Sequence, residues 1–180
     1  MSESRIVERL GQWLFLLMCV AVAAAAINHI LLARSAPPPV APRPVVEQGT
    51  TVALPAAATA DGSVASLLLV LSADCRFCTE SMPFYRRLAA RPEVQSGQVR
   101  LSVVSMQPLA EMREYLRAHG LETTHVMSVP DSGLRVGATP GIVLATREGV
   151  VRESWLGAVP PREEKRVFDA LTAMTNEEGS

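Results

Sequence analysis

The stretch VASLLLVLSADCRFCTESMPFYRRLAA, residues 64–90, decides how this chain folds. Its first part, Val64 to Ser72, is a nearly continuous apolar run that suits a central strand covered on both faces, although leucine alone would equally permit a short helix. The period then changes. From Thr79 to Ala90, Met82, Tyr85, Leu88 and Ala89 recur at helical spacing, with Glu80, Arg86 and Arg87 between them. Pro83 lies inside this helix and is expected to kink it, and Arg91-Pro92 to close it. Cys75 and Cys78 stand at the seam between strand and helix.

Outward from that seam the pattern repeats. Val99 to Val104 reads as the next strand and Leu109 to His119 as the next helix, ended by Gly120. His125 to Val129 looks like a short strand, followed by a turn at Pro130 to Gly133. Ile142 to Ala145 and Val150 to Ser154 flank the polar turn Arg147-Glu148-Gly149, a hairpin signature. Pro161 to Met174 supplies a last amphipathic helix, and residues 176–180 read as a frayed tail. Before the apolar run, a weak strand is expected around Thr51 to Leu54 and a turn near Asp61 and Gly62. The order of elements implies an α/β sandwich around a mixed sheet.

The chain has 180 residues, room for one domain with a full core and too few for two good ones. Its net charge of -1 and pI of about 6.3 give no broad basic surface for nucleic acid. The 48% hydrophobic content is uneven. Much of it lies in Trp13 to Ala33, which has no charge or strongly polar side chain before Asn28 and matches a bilayer core of about 30 Å. A core helix would keep a polar face, and this segment has almost none. A transmembrane anchor in the lipid bilayer is therefore expected at 13–33, with a cleaved signal peptide as the rival, because Ala33 and Ser35 have the spacing a signal peptidase uses. Arginines lie on both sides of the span, so charge does not orient it. Residues 1–12 form a short tail, 34–49 a stiff proline-rich linker, and 50–175 the folded domain.

Three cysteines are too few for a disulfide-stapled scaffold, and Cys19 within the apolar span is most simply a small apolar side chain. A cysteine at a helix start meets unpaired N–H groups that stabilise its thiolate, which makes Cys75 the expected nucleophile. Cys78, one turn along, can reach the same sulfur and resolve a mixed disulfide. Arg76 adds favourable charge, Asp74 opposes it, and Phe77 offers an apolar contact surface. Two buried structural cysteines would share this spacing. Zinc would need four ligands, and His119 and His125 do not form a second close pair. Thr139-Pro140, just ahead of the hairpin, is a place for a cis bond. In that form it would leave the Thr139 backbone beside the cysteines, able to pair with an extended substrate segment.

With both segments in view, LSADCRFCTESMP and VGATPGIVLATREGVV together resemble the thioredoxin-like fold, most closely the membrane-anchored, exported thiol–disulfide oxidoreductases of the TlpA/ResA type. The resemblance runs from about Thr50 to Met174. It implies a three-layer sandwich with Cys75 as attacking thiol, Cys78 as resolving thiol, Pro140 as a cis-proline facing them and Thr139 as the residue ahead of it. It also implies Pro83 as the helix kink, Gly149 as the hairpin glycine and Gly157 as the glycine after the last strand. Asp74 stands where tryptophan is usual, and Arg76-Phe77 replaces the Gly-Pro of thioredoxin. The buried acid of thioredoxin falls at Leu69, leaving Glu80 as the nearest carboxylate, in a place that equally suits solvated surface.

The expected function is thiol–disulfide exchange with protein substrates, in the reducing direction, by a single-pass protein of the bacterial inner membrane with its domain on the exported side. A membrane or exported redox partner would reset it, and neither cofactor nor metal enters the scheme. A thiol peroxidase is the rival enzyme, although no Thr/Ser-rich approach precedes Cys75. A membrane-tethered binding module without redox turnover is the non-enzymatic alternative.

Overall fold

The computed structural model describes residues 13, 17–23, 28, 45–52, 54, 62–123 and 125–178. Its central strand, β1 (Ala65–Leu71), is buried at every position, which is what the run of leucines and valine is for. It pairs in parallel with β2 (Val99–Ser105) and antiparallel with β4 (Gly141–Thr146). With the short β3 (Val126–Ser128) and β5 (Val151–Leu156) these form a mixed sheet in the order β3-β2-β1-β4-β5. Alternation sorts the side chains. Leu67, Leu69 and Leu71 enter the larger core, while Leu68 and Val70 enter a smaller one on the opposite face.

The larger core lies under three helices: α2 (Met82–Ala89), α4 (Leu109–Ala118) and α6 (Pro161–Glu178). Both β1–β2 and β2–β3 connections advance in the same direction across the sheet, so right-handed crossovers place α2 and α4 on one face. The opposite face of the sheet carries the smaller core. Among the described residues it is covered by Val45, Val46, Val52 and Leu54 of the extended entry segment, and by Met127, Val129, Leu134 and Val136 around a single helical turn. That turn, α5 (Val129–Ser132), stands where only a turn was expected. The Ser128 side chain accepts from Asp131 N, and the helix ends at Gly133 with φ 66°.

The helix that follows the cysteines is interrupted at one residue, Ser81, which keeps a helical conformation (φ -85°, ψ -6°). The first piece, α1 (Arg76–Glu80), stops at Ser81, and α2 restarts at Met82 with Pro83 in its first turn. Proline has no N–H and its ring crowds the carbonyl four residues back, so the chain restarts where the missing donor costs nothing. A further helix, α3 (Pro92–Gln95), follows instead of a plain stop. At the carboxy terminus α6 runs to Glu178, correcting the frayed tail expected from residue 176, because Met174 and Thr175 are still buried.

The weak strand at Thr51 to Leu54 reduces to one bridge, Thr51 to Val150. Here the hairpin glycine has a steric reason. Gly149 has φ 84°, and a β-carbon on it would lie 2.2 Å from the Val52 carbonyl oxygen. The chain forms two compact units, Met1–Ala41 and Pro42–Ser180. In the first, residues 13, 17–23 and 28 are helical. Among the described residues no helix is long and apolar enough to cross a membrane, and most of the 13–33 span and of the 34–49 linker lies outside them.

Candidate active site

Leaving β1, the chain turns through Ala73 and Asp74, with Cys75 N donating to Ser72 O at 3.2 Å. Cys75 remains extended (φ -89°, ψ 107°) and caps α1 with its own sulfur, which accepts from Cys78 N at 3.3 Å. Cys75 O accepts from Cys78 N and Thr79 N, so the sulfur and carbonyl of one residue serve the first donors of the helix. Both thiols are free. Cys75 is partly exposed and Cys78 is fully buried.

Their acidities diverge. Burial pushes the Cys75 thiol up, but hydrogen bonds from the Cys78 and Thr139 side chains and from the Cys78 and Phe77 backbone outweigh it, leaving Cys75 below the ordinary thiol range. Burial is also the largest influence on Cys78. With Cys75 as hydrogen-bonded and charged neighbour, it pushes Cys78 up to about 12. The more acidic, partly exposed thiol therefore faces a buried and less acidic one, an asymmetry suited to attack by the first and resolution by the second.

The Thr139-Pro140 bond is cis. Pro140 is buried, its carbonyl accepts from Gly157 N at 2.8 Å, and Cys75 Sγ lies 3.6 Å from Thr139 O as a hydrogen-bond donor. Segments 64 residues apart in sequence thus meet at Cys75. The expectation that the Thr139 backbone would be free beside the cysteines needs amending, because its carbonyl already faces Cys75.

The remaining candidates separate. Arg76 Nε donates to Glu80 Oε1 at 2.6 Å, with side chains 85% and 49% exposed, so the pair lies along the solvated face of α1. Glu80 is thus occupied at the surface, which removes it from the role of the missing buried acid, while Leu69 is fully buried in the sheet. Phe77 is 57% exposed beside Cys75, and Met106, at the end of β2, is the other large exposed apolar side chain described in this unit. His119 packs its ring on Tyr115, whereas His125 faces Arg100 beside β3, so the two histidines are not gathered at the cysteines.

Gln107 was missed by sequence reasoning. Its Oε1 accepts from Ala73 N at 2.7 Å, and its Nε2 donates to Asp74 Oδ2 at 2.8 Å. Its own backbone N donates to Ser105 Oγ, which in turn donates to Gln107 O. The last turn of β2 thereby fixes the loop that delivers Cys75 and ties the Asp74 carboxylate to an amide. The available signal was topological: a polar residue just past a predicted parallel strand lies at the same sheet end as the cysteines. Tyr115 OH similarly lies 2.9 Å from Thr79 Oγ1, joining α4 to α1.

No family model and no curated protein matches this chain. Solved structures do. One from Chlorobium tepidum, provisionally named a thiol:disulfide interchange protein DsbE, is 20% identical with a TM-score of 0.55, covering 72% of this chain and 96% of its own. Another from Bacteroides thetaiotaomicron, provisionally named a protein disulfide isomerase, is 15% identical with a TM-score of 0.57, covering 76% and 95%. The thioredoxin domain of a Bacteroides vulgatus thiol-disulfide oxidoreductase is 10% identical with a TM-score of 0.52, covering 69% and 97%. The fold of the Pro42–Ser180 unit is thioredoxin-like.

Proposed function

We propose that this protein is a thiol–disulfide oxidoreductase acting on protein disulfides. The observation that carries the reading is the position of Cys75 Sγ: it caps a helix, lies against the carbonyl of a cis Thr139-Pro140 pair, and has a buried second thiol one turn on. The Cys75 thiolate attacks one sulfur of a substrate disulfide, forming a Cys75–substrate bond and expelling the other sulfur as a thiolate, which takes up a proton. Cys78 then loses its proton and attacks Cys75 Sγ, expelling the second substrate thiolate and leaving a Cys75–Cys78 disulfide. Two electrons pass to the substrate.

The order of steps follows from acidity. The Cys75 charge is one of the influences holding Cys78 protonated, and the mixed disulfide removes that charge. Cys78 therefore becomes a better nucleophile only once its target exists. The exposed Phe77, two residues from Cys75, provides apolar contact for an incoming chain. A dithiol partner must reduce the enzyme again for each turnover.

In the cell, residues 13–33 anchor the chain in the bacterial inner membrane, and the 34–49 linker holds the domain on the exported side. The apolar composition of that stretch and the prolines after it support this placement. The test is a Cys78→Ser variant of the full chain in its membrane. Mixed disulfides that need Cys75 and disappear with reductant support the reading. No trapped species, together with no exchange by the unsubstituted chain, refutes it.

A further inference from the structure

A second site lies at the far end of the sheet from the cysteines. Cys75 follows the carboxy-terminal end of β1, whereas this cavity opens beside Val99, Arg100 and Leu101 at the amino-terminal end of the parallel β2, about 20 Å away along the strands. It exists because β3 pairs with β2 only from Val103 onward. Below that point the segment carrying Leu121, Glu122, Thr123 and His125 lines the space beside β2. It is pinned by Thr123 Oγ1 donating to Leu101 O at 3.1 Å and Val103 N donating to His125 O at 2.8 Å. The space between this segment, α4 and the end of α3 is about 500 Å³, enough for a small organic molecule.

Its lining is two-sided. Leu101, Leu116 and Leu121 form an apolar floor continuous with the main core. Around that floor stand three guanidinium groups, Arg100, Arg113 and Arg117, against one carboxylate, Glu122. Arg100 is only 6% exposed and its Nη1 lies 3.5 Å from His125 Nε2. Burial, and then the Arg100 charge beside it, hold the His125 imidazole below its usual range, which disfavours a further positive charge there. Arg113 and Arg117 are one turn apart on α4, and among the described residues neither is tied to a carboxylate. What sets these two apart is their place: both line the hollow beside its apolar floor. The exposed guanidinium groups of Arg113 and Arg117, bordering an apolar hollow, match a ligand that is negative at one end and apolar at the other.

We propose that this cavity binds a small organic carboxylate with an apolar body, the carboxylate lying against Arg113 and Arg117 with Arg100 behind it, and the body packing on Leu101, Leu116 and Leu121. The site uses none of the residues of the thiol chemistry, so it stands or falls independently of that reading. The charge belongs to exposed arginines, so binding weakens as salt is raised.

Calorimetric titration of the full chain with 4-phenylbutyrate, 4-phenylbutanol and inorganic phosphate tests it. The proposal expects one saturable 4-phenylbutyrate site per chain, with the neutral alcohol and the bare phosphate each bound at least about tenfold more weakly. The doubly substituted R113Q/R117Q chain, altered only at exposed positions, should lose about tenfold in affinity for 4-phenylbutyrate. Equal binding of the alcohol overturns the charge recognition, and equal binding of phosphate overturns the apolar subsite. Unchanged affinity in R113Q/R117Q, or no saturable binding at millimolar ligand, overturns the site.

Discussion

Replacing Gln107 by leucine tests whether the cysteine loop is held from outside its own sequence. Leucine keeps most of the bulk and removes both polar contacts. The bond from Ala73 N at 2.7 Å is half-buried, so its loss costs about 1 kcal/mol. The stranded N–H adds up to about 1 kcal/mol more, less whatever water recovers. The bond to Asp74 is exposed and adds little to stability. Gln107→Leu should therefore lower the stability of the reduced chain by about 1–2 kcal/mol in urea unfolding, with faster exchange of the Ala73 amide than of amides in β1. Gln107→Glu separates the two contacts. It keeps an acceptor for Ala73 but sets a second carboxylate against Asp74, and the added negative charge near the nucleophile should slow alkylation of Cys75 at neutral pH. A leucine variant within about 0.3 kcal/mol of the parent, or a glutamate variant alkylated as fast as the parent, would refute the reasoning.

Gly149→Ala should destabilise the domain by at least about 2 kcal/mol, measured by thermal unfolding, since its β-carbon meets backbone oxygen at 2.2 Å and its φ is positive; a neutral result contradicts the hairpin geometry. For pH, Cys78 is an acid whose folded-state value is raised, so its contribution is intact below the unfolded thiol range and is lost as pH climbs from about 9 toward about 12. Cys75 is depressed and acts with the opposite sign, gaining stability as pH rises through its lowered value to the unfolded one. Urea titrations across alkaline pH should show the reduced chain losing stability relative to its Cys78→Ala variant, and parallel curves would contradict the assignment.

Legibility in the sequence followed the range of the interactions. β1, the cysteine seam, the hairpin and the place of Thr139-Pro140 announced themselves through local period and turn residues, because each is determined by its own few side chains. Composition shows that Pro83 disturbs its helix, and not that the interruption falls at Ser81 with the chain restarting at Met82. α3 and α5 are single turns, too short for any period to show. The described residues that cover the second face carry no pattern beyond being apolar, so the sequence does not announce them. Gln107 and the cavity by Arg100 depend on which strands lie side by side. For Glu80, proximity in sequence to the cysteines and a solvated place on the helix were equally legible, and its pairing with Arg76 one turn away bears out the second.

The central claim is that Cys75 and Cys78 act as one two-electron couple. Mixing the reduced full chain with excess of a disulfide-bonded peptide, then quenching in acid and weighing the intact chain, tests it most directly. The account predicts one peptide disulfide reduced per chain, with a loss of two hydrogens localised to a Cys75–Cys78 bond. Reduced cysteines after prolonged incubation, or a bond formed without peptide thiols appearing, would contradict it.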